Sequence, residues 1–282
     1  MPTIRLAHSP DSDDAFMFYA LAEGKIPTGD RRYEHELSDI ESLNQRALRG
    51  ELDVTAVSIH AFAYLTDRYA LLSHGGSVGD RYGPRLVART APPADPRAAM
   101  RGRRIAVPGL LTTAYLTLRL YQPDFEPVVT PFDQIEDVVE AGQVDAGLLI
   151  HEGQLTYAER GLHLWADMGA WWHGETGLPL PLGGNVVRRD LGDQLIGAVS
   201  VDLKASIVYG LAHRDEALAY AMQYARGLDP AKADRFVGMY VNAFTVDYGD
   251  SGRRAVKALL DRAAKAGIIP RSVDVTFAAH AA

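Results

Sequence analysis

Apolar residues come in short runs separated by polar turns, and the spacing changes from run to run. Ile4-Arg5-Leu6-Ala7 alternates and predicts an opening strand. Ser9-Pro10-Asp11-Ser12-Asp13-Asp14 follows as a loop, then Ala15 to Leu21 as a helix stopped by Gly24. The loop offers several capping side chains, and acids in a first turn suit the helix dipole. Ile40 to Leu48 carries apolar residues at helical spacing and ends at Gly50. Leu52 to Ser58 reads as a strand, and Ile59 to Leu65 as a helix. This β-α-α-β-α order predicts a parallel or mixed sheet covered by helices.

Ala91-Pro92-Pro93-Ala94-Asp95-Pro96 can continue neither regular structure and predicts a loop near a crossing between domains. After it come a strand at Arg104 to Val107, a turn at Pro108 to Ala114 and a helix at Tyr115 to Tyr121. Strand content resumes at Val128-Val129, and Ile135 to Ala141 is a short helix. The apolar run Asp145 to Ile150 then reads as a buried strand that stops abruptly at His151-Glu152-Gly153. Leu178 to Gly184 holds two prolines, which exclude a helix and suggest a return crossing. Helices are expected over Val201 to Ala212, Asp215 to Arg226, Ala231 to Tyr240 and Gly252 to Ala266, with Gly227 and Gly267 as stops.

These elements predict an α/β protein of two lobes joined by two crossings. Residues 1–92 and 187–282 would form a discontinuous larger lobe, and residues 93–186 a smaller one. Clefts between lobes are favoured ligand sites.

Composition narrows the function classes. A chain of 282 residues with 47% hydrophobic residues can build a sizeable core. A net charge of -7 and a longest basic cluster of only Arg101 to Arg104 argue against a nucleic-acid partner. With no cysteine, disulfides, thiolate nucleophiles and zinc–thiolate sites are excluded. The N-terminus lacks a secretory pattern, and no stretch reads as a membrane span, so a cytoplasmic protein without a membrane partner is expected.

In open α/β sheets ligands sit outside the carboxyl ends of the strands. His151 is therefore expected at the mouth of a cleft, where a neutral imidazole can take a proton. The alternative is a satisfied structural histidine. Gly109 to Ala114 joins a strand to a helix; its free amides and the Thr112 and Thr113 hydroxyls suit a carboxylate, unless one threonine simply caps its helix. The acids Asp11, Asp13 and Asp14 lack the spacing of a calcium loop and read first as caps. Ser58 stands at a strand end. Glu152 points away from its neighbour His151 if strand geometry persists. No Gly-x-Ser-x-Gly elbow, His-Glu-x-x-His pair or Walker loop occurs, which leaves a serine hydrolase, a zincin and a P-loop nucleotide site without support. Trp165, Trp171 and Trp172 read as core or cleft lining.

Taken together, Ser9-Pro10 with Asp14, Val57-Ser58, Pro108-Gly109-x-x-Thr112-Thr113-Ala114, Ile150-His151-Glu152-Gly153, Leu180-Pro181-Leu182-Gly183-Gly184 and Tyr240-Val241-Asn242 resemble the 1,4-dihydroxy-6-naphthoate synthase family, of the futalosine route to menaquinone. The likeness runs through nearly the whole chain. It implies a two-lobed periplasmic-binding-protein-like (type II) fold. It also implies a lyase that cleaves cyclic dehypoxanthinyl futalosine, with His151 as general base and no cofactor or metal. The matching substrate-binding positions are Ala56, Val57, Ser58, Thr112, Thr113 and Ala114, with Ser9 and Asp14 beside them. The first loop departs from the family's Ser-Pro-Cys-Pro-Asn-Asp-Thr, and Gln154-Leu155 stands where Arg-Phe is more usual. Two other readings remain open: the chorismate dehydratase of the same pathway, and a small-acid-binding protein of the solute-receptor fold. A homodimer is also open.

Overall fold

The computed structural model describes residues 3–224 and 229–278. Two sheets organise the chain. The first has strand order β2 (Arg32–Leu37), β1 (Thr3–His8), β3 (Val54–Ser58), β11 (Leu180–Arg188) and β4 (Tyr69–Leu71), with β5 (Ser77–Gly79) also paired to β11. β1 runs parallel to β2 and β3, whereas β11 is antiparallel to its three partners. The second sheet has the order β10 (His163–Asp167), β6 (Arg85–Ala88), β9 (Ala146–Leu149), β7 (Arg104–Val107) and β8 (Glu126–Val129).

Helices α1 (Ser12–Ala22), α2 (Ile40–Arg49) and α3 (Ile59–Phe62) accompany the first sheet. α4 (Pro96–Ala99), α5 (Thr113–Tyr121), α6 (Ile135–Glu140), α7 (Gly153–Thr156) and α8 (Met168–Thr176) accompany the second. The C-terminal part supplies α9 (Asp193–Ala212), α10 (Arg214–Ala221), α11 (Pro230–Tyr240), α12 (Ala243–Val246) and α13 (Gly249–Lys265). Gly267 adopts φ 69°, as the expected stop requires. Gly227, with the end of the expected helix at Ala225-Arg226, lies outside the described residues.

α1 is buried from Ser12 through Leu21, so it is enclosed on all sides: its first turn is polar and faces the cleft, and Ala15 to Leu21 pack in apolar surroundings. It packs on α9 through Phe16, Met17 and Leu21 against Ile196, Val199, Leu203 and Ile207. α9 is long and apolar enough to span a membrane by length and composition, against the sequence expectation, but half of that window is buried in the protein. Within α9, Asp202 is held by Arg31 at 2.7 Å and by the Tyr33 hydroxyl. The apolar core continues from the first sheet to the second: Val57, Phe62 and Tyr248 share one cluster with Leu86, Val107, Leu148 and Trp172. Trp172 is fully buried and its indole donates to Pro179 O, while Trp165 donates to Thr90 O.

Three expectations change. β2 was not anticipated: it is an edge strand, Arg-Tyr-Glu-His-Glu-Leu, with no fully buried residue and only Tyr33, His35 and Glu36 half-buried. Leu180 to Gly184 belongs to a nine-residue strand, not a turn, with its register shifted between Pro181 and Gly183. Gly184 must lack a side chain, since a Cβ there would stand 2.5 Å from the Tyr248 hydroxyl. Sheet membership also differs from the expected boundaries. β6 precedes the proline-rich stretch yet pairs with β9 and β10 of the second sheet. All of β11 lies in the first sheet.

Candidate functional site

The cleft between the two sheets is entered by chain segments that leave strands at their carboxyl ends. β1 ends at His8, and the loop before α1 brings Ser9, Asp11, Asp13 and Asp14 to the cleft wall. β3 contributes Ala56, Val57 and Ser58. From the second sheet, β7 leads into the α5 start with Thr112, Thr113 and Ala114. The empty space, open mouth included, is about 730 Å³.

The α5 start leaves backbone amides without internal acceptors. Thr112 is its N-cap: the hydroxyl accepts from Tyr115 N at 3.2 Å and donates to Gly109 O. Thr113 Oγ1 accepts from the His60 amide and donates to Leu182 O, so it ties the helix start to the first lobe. The Thr113 and Ala114 amides lie in the first turn, where a helix offers no internal acceptor, and α5 has no acid there. The neighbouring Leu111 amide already donates to a carboxylate, Glu41 of α2, at 3.1 Å. Gly109 makes room for it; a Cβ at Gly109 would sit 2.3 Å from Glu41 Oε2.

The α1 start is different in charge. Asp14 Oδ2 accepts from the Ser9 amide at 2.9 Å, and Ser9 Oγ accepts from the Asp11 amide. Burial raises the pKa of Asp14, with the nearby Asp11 charge adding to the effect. Ser12 Oγ reaches across to Glu152, and the Tyr240 hydroxyl donates to Gln154 Oε1 at 2.8 Å. Ser58 is held at both ends by Asn44, whose amide nitrogen donates to Oγ and whose oxygen accepts from the Ser58 amide.

His151 departs from its expected place. It is 7% exposed and is not part of the cleft wall, although Ile150 and Gln154 on either side of it are. Nδ1 accepts from the Gly153 amide at 2.8 Å, which leaves the ring proton on Nε2 for donation to Phe132 O at 2.9 Å. The abrupt end of the strand at Ile150 lets the chain turn into α7, and that turn brings the Gly153 amide onto the ring. Two other histidines are buried neutral. Burial lowers the pKa of His8 to about 3 and that of His60 to about 4.

Several wall residues were not singled out as site candidates from the sequence. Gly75 from the turn before β5, Ser77 from β5 and Asn185 from β11 line the cleft, as do Tyr240 and Gln154. Asn185 carried a faint signal, a polar residue between Gly183-Gly184 and an apolar pair; its amide donates to Gly75 O. Among the described residues no group of histidine, aspartate and glutamate is placed to hold a metal ion.

Two α/β lobes around a cleft fed by helix starts define a periplasmic-binding-protein-like fold. An alkanesulfonate-binding protein from Xanthomonas axonopodis pv. citri shares that fold, with a TM-score of 0.69 at 17% identity over 97% of this chain and 96% of that one. A crystal structure of a protein from Archaeoglobus fulgidus is far more similar: TM-score 0.90 and 48% identity, covering 95% of this chain and 98% of that one. The sequence pattern of the menaquinone biosynthesis family matches residues 4–265. The 1,4-dihydroxy-6-naphthoate synthase of Thermus thermophilus is 44% identical over 277 residues, 98% of this chain and 100% of that one. The same-named protein of Streptomyces coelicolor is 42% identical over 274 residues, 95% of each. The chain belongs to the menaquinone biosynthesis family.

Proposed function

We propose that this chain is a cytoplasmic lyase that converts cyclic dehypoxanthinyl futalosine to 1,4-dihydroxy-6-naphthoate, with the cleft as its active site. One observation carries the reading. The α5 start presents amides with no acid in its first turn, opposite the carboxyl end of β3, in a chain of near full-length likeness to two such synthases. The substrate carboxylate sits on the Thr113 and Ala114 amides, where the helix dipole favours it. Ser58 and its neighbours hold the opposite side. We divide the lobes by sheet, at residues 80–84 and 177–179, so that the cleft lies between the two crossings.

His151 is the base in this reading. Its Nδ1 carries the free electron pair, now engaged by the Gly153 amide, and the ring turns from that amide toward the substrate as it binds. A positioned base contributes typically about 10²–10⁴-fold. His151→Ala is expected to lose turnover by that factor on the cyclic substrate while the Kd for the naphthoate stays within about threefold, a shift of under ~1 kcal/mol. A wild-type rate for that variant rejects the base assignment. No turnover by the wild type, with an enol-ether product from chorismate instead, rejects the activity.

A further inference from the structure

Asp13 has no part in the reading so far, yet it lies in the first turn of α1, lines the cleft and is 9% exposed. Its neighbours are engaged elsewhere: Ser12 with Glu152, and Asp14 with the Ser9 amide. The titratable groups facing Asp13 are all acids: Asp11 and Asp14 from its own loop, Glu152 from the segment before α7, and the Tyr240 phenol from α11. Burial in first place, then these like charges, raise its pKa well above the ordinary carboxylate range. A carboxyl that keeps its proton offers one O–H donor and an acceptor oxygen, as a carboxamide offers an N–H and an oxygen.

We propose that Asp13 is a substrate-recognition residue, donating a hydrogen bond from its carboxyl O–H to an uncharged oxygen (hydroxyl, ether or carbonyl) of the molecule in the cleft. The two helix starts then divide the ligand. Its carboxylate goes to α5, and its neutral oxygenated end goes to α1, where a second anion would meet Asp11, Asp14 and Glu152. The identity of the ligand rests on the function proposed above; the protonation of Asp13 does not.

The test compares wild type, Asp13→Asn and Asp13→Ala, with the Kd for 1,4-dihydroxy-6-naphthoate measured by calorimetry and thermal unfolding followed at pH 6 and pH 8. Asn supplies a neutral donor and acceptor, so its Kd should stay within about threefold of wild type, whereas Ala should weaken binding at least about tenfold. Asn should also raise Tm by at least about 2 °C, more at pH 8 than at pH 6, because it removes a carboxyl that folding takes out of water. Wild-type affinity in the Ala variant overturns the inference. So does an Asn variant as weak as Ala with an unchanged Tm, since the ligand then needs a charged carboxylate. A wild type that does not bind the naphthoate overturns the proposed function and with it the assigned ligand, an outcome distinct from either of these.

Discussion

The starts of α1 and α5 face the same cleft from opposite lobes and are built from the same unit, a strand followed by a short loop and a helix. They treat the helix dipole in opposite ways. α1 fills its first turn with Asp13 and Asp14, acids that burial holds toward their protonated form, and Asp14 takes the Ser9 amide. α5 has only an uncharged cap, the Thr112 hydroxyl, and leaves its first-turn amides without a resident anion. A helix start is an anion site only where the sequence has not already placed a carboxylate on it. Equivalent topology thus gives one lobe a helix start with no acid in its first turn and the other a wall of buried acids.

Making α5 resemble α1 should break the difference, with the largest effect. Thr112→Asp keeps a good N-cap, so the unfolding midpoint should hold, but it sets a fixed negative charge beside the first-turn amides. Affinity for the naphthoate should fall about 10–100-fold, roughly 1.4–2.8 kcal/mol, by calorimetry. Unchanged affinity would mean that the carboxylate binds elsewhere.

The acid wall should show in the pH dependence of stability. Asp13 and Asp14 have pKa values raised above the unfolded carboxyl value of about 3.9, so the folded chain holds protons that the unfolded chain has released. Their contribution is full below that value and is lost as pH rises through the folded pKa values. His8 and His60 act in the other sense, because the unfolded imidazoles take protons below about pH 6.5 that the buried rings refuse. Above that point only the acid effect remains. Denaturant unfolding from pH 6.5 to 9 should show stability falling by on the order of 1–3 kcal/mol, with a shallower slope in Asp14→Asn. A flat profile would show that these carboxyls ionise as freely in the fold as in water.

The smallest effect sharpens the role of the α5 cap. Thr112→Ala removes the hydroxyl that accepts from Tyr115 N, and should cost about 1 kcal/mol of stability. Ligand affinity should fall less than in Thr112→Asp, because the Thr113 and Ala114 amides remain. An Ala variant that binds more weakly than the Asp variant would show that the hydroxyl itself touches the ligand.

Much of this was legible along the chain. The Ser9 to Asp14 loop, the Thr112 turn and the strand ending at Ile150 are local patterns, and each lies where a strand-to-helix signal put it. β2 escaped because an edge strand needs little apolar content: only Tyr33 and His35 alternate as half-buried rings among charged residues, and Leu37 is exposed. β11 escaped because prolines and glycines read as a turn, whereas here Pro181 lies beside the register shift and Gly184 makes room for the Tyr248 hydroxyl. The lobe boundary could not be placed at a proline-rich stretch, since β6 is assigned by its partners β9 and β10, both far along the chain.

Part of the short-range order therefore came from the residues alone: the strand-to-helix units around Ser9–Asp14 and Thr112, and the polar groups that stand at those helix starts, whereas α9 begins at Asp193 rather than Val201. That follows because capping, alternation and turn chemistry act over a few positions. Tertiary packing decided the rest. It turned the imidazole of His151 onto the Gly153 amide, set Glu41 against Leu111 and gathered four carboxyls around one buried turn. Ionisation and reach depend on dielectric surroundings and on neighbours more than a hundred residues away, as Ser12 and Glu152 are, and no local pattern encodes that distance.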